Sequence, residues 1–195
     1  MLTNKDFFQR EAEFEGYRSR AAYKLKQLQD RFKLLKQGQV VLDLGAAPGG
    51  WMQVALEIVG DEGFVLGVDI QPISKLVERN AFTLIADITS ALGKKKILER
   101  LPDKPDVVLS DVAPSTTGVK RLDRGQSKEL SEASLNIAIE FLEKGGTAAI
   151  KTFEGQETEE LLKHARKHFK SVQRFRPKAT KKTSKEVYIV CKGKK

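Results

Sequence analysis

Cysteine is almost absent: Cys191 stands alone among 195 residues, so no internal disulfide can form. No stretch reaches the roughly 18–20 consecutive apolar residues of a membrane span. The first ten residues are polar and lack the apolar core of a secretion signal. These absences fit a soluble cytoplasmic protein. The two histidines, His164 and His168, lie four apart on a basic stretch and read as a surface stripe. With one cysteine there is no Cys/His cluster at metal-ligand spacing, and no metal is expected. Two nucleotide-loop spacings are also missing, G-x-G-x-x-G and G-x-x-x-x-G-K-[ST], which counts against a nicotinamide dehydrogenase and a phosphate loop. No repeat or long linker divides the chain, so a single domain over 1–195 is expected.

What the chain does have is charge, unevenly placed. The formal net charge is +9. From Lys163 to Lys195 there are 13 Lys/Arg against one acid, Glu186, and Met1–Lys36 carries nine bases against five acids. The middle is therefore net acidic. Basic ends around an acidic centre suggest a phosphate-rich polymer gripped by the ends; a solvated basic tail is the plain alternative. Tyr17–Leu35 places Ala21, Leu25, Leu28, Phe32 and Leu35 at three- and four-residue steps, which predicts one amphipathic helix with a basic outer face, capped by Ser19 and stopped at Gly38.

The centre of the chain is Val40–Trp51, V-V-L-D-L-G-A-A-P-G-G-W. An apolar β-branched run reads as a buried strand. Gly45, Pro48, Gly49 and Gly50 then break it, and a helical pattern follows over Met52–Val59. Strand, glycine loop and helix form the βα turn of a doubly wound sheet, where backbone can approach a ligand and a helix N-terminus faces it. A tight turn before a packing helix is the alternative. Further strands are predicted at Phe64–Val68, Ala81–Ile85, Asp106–Ser110 and Gly146–Ile150, alternating with helices at Leu92–Leu101, Lys128–Leu142 and Glu157–Phe169. Val172–Phe175 and Glu186–Val190 close the chain as a hairpin, implying an antiparallel strand at that edge. The polar loop from Asp111 to about Gln126, with Lys120, Arg121 and Arg124, is a candidate lid or RNA contact.

The chemistry-bearing residues collect at predicted strand ends. Asp69 follows the second strand about 20 residues past the glycine loop, where an acid can accept bonds from a ribose diol. Asp87 follows the third strand and could meet an adenine amino group or cap a helix. Asp111 follows the fourth, and Lys151 the fifth. Lys151 alone reads as a snorkelling lysine. With Asp111 on the neighbouring strand end, the two can meet over one ligand. Spacing does not say whether Lys24 and Glu186 join them.

Five motifs in order carry a specific resemblance: Y-R-S-R-A-A-Y-K-L at Tyr17–Leu25, L-D-L-G-A-A-P-G-G-W at Leu42–Trp51, L-S-D-V-A-P-S-T-T-G at Leu109–Gly118, A-I-K-T-F-E-G at Ala149–Gly155 and S-K-E-V-Y-I-V at Ser184–Val190. Over Tyr17–Lys195 the chain resembles the FtsJ/RrmJ family of ribose 2′-O-methyltransferases. The resemblance implies an α/β, doubly wound Rossmann-like methyltransferase fold. Its sheet has seven mostly parallel strands, the last antiparallel, with helices on both faces. It implies a Lys–Asp–Lys–Glu catalytic set on Lys24, Asp111, Lys151 and Glu186. S-adenosylmethionine would be bound by Gly49, Trp51, Asp69, Asp87 and Asp111, without a metal. The implied reaction methylates the 2′-hydroxyl of a ribose in large-subunit ribosomal RNA, an A-loop uridine. A tRNA anticodon-loop ribose is the alternative substrate, and a non-catalytic ribosome-assembly factor the alternative role. A monomer is expected, with RNA held by the basic helix 17–36 and the basic segment 163–195. Arg18, Arg20, Lys26, Arg174, Arg176, Lys178, Lys181 and Lys182 are the candidate phosphate contacts. Tyr17 and Tyr23 could stack on a base or pack in the core.

Overall fold

A computed structural model describes residues 7–114, 120–181 and 183–195, with the backbone alone for 120–124. Seven strands form one sheet: β1 (Val40–Leu44), β2 (Phe64–Asp69), β3 (Ala81–Ile85), β4 (Val107–Ser110), β5 (Thr147–Phe153), β6 (Phe169–Phe175) and β7 (Glu186–Lys194). Six helices accompany them: α1 (Phe7–Glu15), α2 (Ala22–Phe32), α3 (Gly50–Val59), α4 (Ala91–Arg100), α5 (Lys120–Phe141) and α6 (Gln156–His168). The strand order is β3-β2-β1-β4-β5-β7-β6. Pairings from β3 through β5 are parallel, and β7 runs antiparallel to both β5 and β6.

The central strands are buried on both faces, which is why they read as unbroken apolar runs. Leu42, Leu44, Val108 and Ile150 pack with Ile97 of α4, Leu135 and Ala138 of α5 and Leu161 of α6. Val41, Leu109, Ala149, Tyr188 and Val190 face the other way, against Leu25 and Leu28 of α2 and Met52 and Ala55 of α3. Helices thus cover both faces.

Several boundaries differ from the sequence expectation. The antiparallel strand is β7, but it lies inside the sheet and β6 is the edge. The amphipathic pattern over Tyr17–Leu35 gives a helix only over Ala22–Phe32. Ala21, not Ser19, is its N-cap, without a side-chain bond, and Lys33 ends it in the left-handed region at φ 52°. A separate helix, α1, precedes it. Lys151 lies within β5 rather than after it. Lys120 opens α5, so the long loop after Asp111 is shorter than the polar run implied. Its candidate contacts Lys120, Arg121 and Arg124, and Lys182 of the β6–β7 loop, fall outside the described side chains. Among the described residues no helix is long and apolar enough to cross a membrane.

From β1 the chain winds outward to β2 and β3, then returns to place β4 on the other side of β1. Ligands in open α/β sheets bind outside the strand carboxyl ends at such a reversal. Here the segments that leave β1 and β4 approach closely. A Cβ on Gly45 would lie 2.4 Å from Val112 Cα, and Gly45 also has φ +74°. Gly45→Ala combines overpacking with backbone strain. It should lower unfolding stability by about 3 kcal/mol, read from the denaturant midpoint.

Candidate active site

The carboxyl ends of β1, β2, β3 and β4 frame a cleft of about 460 Å³ whose walls include Gly45, Ala47, Asp69, Asp87, Asp111 and, from α5, Glu129. That volume falls within the roughly 300–1,000 Å³ usual for small-molecule sites. Asp69 sits at the joint of the glycine loop. Its Oδ2 accepts from Ala47 N at 3.0 Å and its Oδ1 from Gln71 N at 2.9 Å. Asp87 is exposed and accepts from the amide and hydroxyl of Thr89, at 2.9 and 2.7 Å. It is not the cap of α4; Ser90 accepts from Gly93 N in that role.

Asp111 closes one end of the cleft and faces a second cluster. Its Oδ1 lies 3.1 Å from Lys151 Nζ, and Lys151 Nζ also donates to the Asp111 backbone carbonyl. Lys24 Nζ lies 3.4 Å from Asp111 Oδ2 and 3.1 Å from Glu186 Oε2. The Lys24, Asp111, Lys151 and Glu186 side chains are only 10%, 15%, 4% and 20% exposed. Residue spacing did not reveal this joining of α2 and β7 with β4 and β5, which only the family resemblance implied. It follows from β5–β7 pairing and from α2 crossing that face of the sheet.

One residue the sequence reading did not single out, Tyr188, completes the geometry. Tyr188 stands opposite Lys151 in the β5–β7 register, and its hydroxyl donates to Asp111 Oδ1 at 2.6 Å. Burial first, then the neighbouring Asp111 and Glu186, push the Tyr188 phenol well above its usual value, so it stays a donor. Glu186 and Tyr188 share one side of β7, and that two-residue spacing was the available signal. Burial alone would raise Asp111. The Lys151 and Lys24 charges, with bonds from Tyr188 and Lys151, outweigh it and hold the carboxyl below its usual value.

Asp43, two residues ahead of the glycine loop, lies on β1 between Gly67 of β2 and Leu109 of β4. It is fully buried, and among the described residues neither oxygen finds a hydrogen-bond partner. Burial, then repulsion from Asp111 and Asp69, push its carboxyl well above the usual value.

Gly49 and Trp51 are not among the cleft walls. Trp51 is buried with its indole N–H donating to Ala21 O at 2.7 Å, and its ring lies 5.7 Å from that of Tyr188. Gly49 starts α3 at φ +112° and faces Arg18. Most candidate phosphate contacts are engaged within the chain. Arg18 donates to three carbonyls, Arg20 to Ala179 O and Arg176 to Ser184 O at 2.6 Å. Lys26 pairs with Glu15 at 2.8 Å and lies over the Tyr17 ring. Arg174 approaches Glu159 at 3.5 Å. Tyr17 and Tyr23 pack edge to face, 6.0 Å apart. Lys178, Lys181 and Lys185 of the β6–β7 loop are exposed. Among the described residues no group of His, Cys, Asp and Glu could hold a metal ion.

Comparison with known proteins puts this geometry in a family context. The model of the FtsJ-like methyltransferases matches residues 17–194. Ribosomal RNA large subunit methyltransferase E of Methanothermobacter thermautotrophicus is 45% identical over 186 residues, 95% of this chain and 88% of its own. The protein of that name from Methanocaldococcus jannaschii is 42% identical, over 98% of this chain and 80% of its own. A Plasmodium falciparum protein crystallised under the name of a ribosomal RNA methyltransferase superposes with a TM-score of 0.80 at 31% identity, covering 91% of this chain and 98% of that one. Fibrillarin of Aeropyrum pernix, solved with natively bound S-adenosyl-L-methionine, shares the fold at a TM-score of 0.64 and 20% identity, over 87% of this chain and 75% of that one.

The buried acid of β1 has a consequence for stability. An aspartate whose folded value is raised holds a proton that the unfolded chain releases, so stability falls as pH rises above about 4. Asp43→Asn mimics the protonated form. It should match wild type near pH 4 and become the more stable protein toward pH 7, gaining up to about 1.4 kcal/mol per pH unit until the folded value is passed. Denaturant titrations at several pH values read this directly.

Proposed function

The chain belongs to the FtsJ-like methyltransferase family, and on that premise we propose that it methylates the 2′-hydroxyl of a ribose in large-subunit ribosomal RNA, an A-loop uridine, using S-adenosylmethionine. One observation carries the reading: Asp111 is both a wall of the cleft and the counter-charge of Lys24 and Lys151. A donor pocket and an acceptor cluster therefore share one carboxylate.

The donor set suits this co-substrate. Asp69 keeps lone pairs free on both oxygens beyond the two backbone bonds it accepts, which fits a vicinal diol. Asp87, exposed at the next strand end, is placed for the adenine amino group. The cleft wall at Gly45 has no side chain to fill it. Gly49 and Trp51 act from behind: Gly49 starts α3, and Trp51 packs between α2 and Tyr188. When bound, S-adenosylmethionine supplies an electrophilic methyl group on a sulfonium sulfur.

The acceptor side is built to orient and deprotonate a weak nucleophile. In its amine form Lys151 accepts the proton of the 2′-hydroxyl as the oxygen–carbon bond forms and the carbon–sulfur bond breaks. Asp111, fixed by the Tyr188 hydroxyl, orients Lys151. Asp111 also balances the charge as Lys151 becomes an ammonium, while Glu186 shares the charge of Lys24. Such a base contributes typically about 10²–10⁴-fold, and alignment of the reacting atoms adds to it. RNA capture falls to the exposed cations of the β6–β7 loop that leads into Glu186, namely Lys178, Lys181 and Lys185.

Incubation with methyl-labelled donor should label purified large ribosomal subunits and not tRNA, at a ribose oxygen. Label on a base, or on tRNA alone, would overturn the substrate assignment. Lys151→Ala should lose about 10²–10⁴-fold in turnover with donor affinity unchanged. Asp69→Ala should instead weaken donor binding, measured by calorimetry.

A further inference from the structure

We propose that Arg18 is a positioning residue that braces the glycine loop from outside the cleft, rather than a contact for RNA phosphate. Its guanidinium reaches no carboxylate among the described residues. Nη1 donates to Pro48 O at 3.1 Å and to Ser74 O at 2.6 Å, and Nη2 donates to Lys75 O at 2.8 Å. Three carbonyls on two segments, 30 and 56–57 residues away, thus take up both Nη nitrogens. Three of the five guanidinium N–H groups are engaged within the chain, including both on Nη1.

The brace belongs to a strap. Residues 16–21 cross the start of α3. Arg18 N donates to Gln53 Oε1 at 2.8 Å, Gln53 Nε2 donates to Gly16 O at 3.0 Å and the Trp51 indole N–H donates to Ala21 O at 2.7 Å. The fit allows no side chain on the loop. A Cβ on Gly49 would lie 2.9 Å from Arg18 Nη1, and one on Gly50 would lie 2.4 Å from Ser19 Oγ. The strap then enters α2, which carries Lys24.

The glycine loop is therefore gripped from both sides by opposite charges. Asp69 accepts from its Ala47 amide and from Gln71, where the coil 71–80 departs. Arg18 donates to its Pro48 carbonyl and to the far part of the same coil. Hydrogen bonds with one charged partner are the stronger kind. Without Arg18, the side-chain hydrogen bonds that join loop and coil among the described residues would run through Asp69, the residue assigned to the donor. Nη1 alone reaches both segments, at Pro48 and Ser74, and the planar fork adds a second bond to the coil, at Lys75, through Nη2. A lysine keeps the charge but concentrates its donors at one point.

This assignment rests on the methyltransferase reading for the identity of the ligand, but not for the brace itself. Hydrogen exchange on the ligand-free protein tests the brace. Arg18→Met should speed exchange of the hydrogen-bonded amides of Ala47, Gln53 and Gln71 about tenfold or more, and Arg18→Lys, which loses the fork's bond to Lys75, should speed it several-fold. Each should weaken S-adenosylmethionine binding about tenfold by calorimetry. Binding of a labelled ribosomal RNA hairpin should keep the wild-type slope of log affinity against log salt. A phosphate contact predicts the reverse: Arg18→Met would reduce that slope by about one, Arg18→Lys would restore it, and exchange would not change. Either that pattern or wild-type exchange in Arg18→Lys overturns the proposal. Absence of donor binding by the wild-type protein would instead count against the proposed function, while exchange still decides the role of Arg18.

Discussion

Two lysine ammonium groups lie within reach of one carboxylate, and neither could be buried here without it. Taking a charge out of water costs several kcal/mol unless it is paired and hydrogen-bonded. Lys151 is 4% exposed and Lys24 10%. Asp111 answers both, and Tyr188 fixes the carboxylate between them. Glu186 supplies the second negative charge, through Lys24. Four elements that share no sequence neighbourhood, α2, β4, β5 and β7, are thereby tied to one group. An arrangement of this kind makes a poor stability device, since apolar residues of similar volume would do as well. Its retention beside a cleft is better explained by chemistry than by folding.

The same logic applies to the acids around the β1–β4 reversal. Asp43, Asp69 and Asp111 converge where parallel strands end, and parallel ends also gather the partial positive charge of following helices. Their environments separate their behaviour. Asp111 is held ionised by lysines, whereas Asp43, without a partner, is pushed toward its neutral form. Carboxyl groups driven apart in this way mark sites rather than cores. The Gly45–Val112 approach sets the distances, because any side chain at residue 45 would wedge β1 from β4 just where the acids meet.

Much of this was legible in the chain, for a definite reason. Strands buried on both faces read as apolar, β-branched runs, so β1, β2 and β4 and the acids that end them could be located within a residue. Resemblance to a family then linked Lys24 and Glu186 to Asp111 and Lys151. What could not be read were relations set by register or by backbone acceptors. Tyr188 meets Asp111 because β7 lies between β5 and β6, not at the rim. α1 is short, and its Phe14 is 88% exposed, so it leaves little periodic trace. Ser19 looked like a cap but serves the strap instead, its hydroxyl filling the space beside Gly50.

Arginine was the residue most readily misread. A net charge of +9 points to a polyanion, yet charge counts do not distinguish a cation turned to solvent from one turned to a carbonyl. Arg18, Arg20 and Arg176 all bond main-chain oxygens, and Lys192 and Lys195 do so too, at Phe32 and at the end of α6. Guanidinium suits this work because its donors are planar, fixed in direction and always charged. The lysines of the β6–β7 loop remain at the surface as compact, well-hydrated charges. Long-range attraction needs only charge, so an engaged arginine still contributes to the positive field around the chain. Short-range grip needs free donors, and those the structure leaves mainly to lysine. The basic character of the chain thus divides into a scaffold part, bonded to main-chain oxygens, and a surface part whose donors stay free to meet a polyanion.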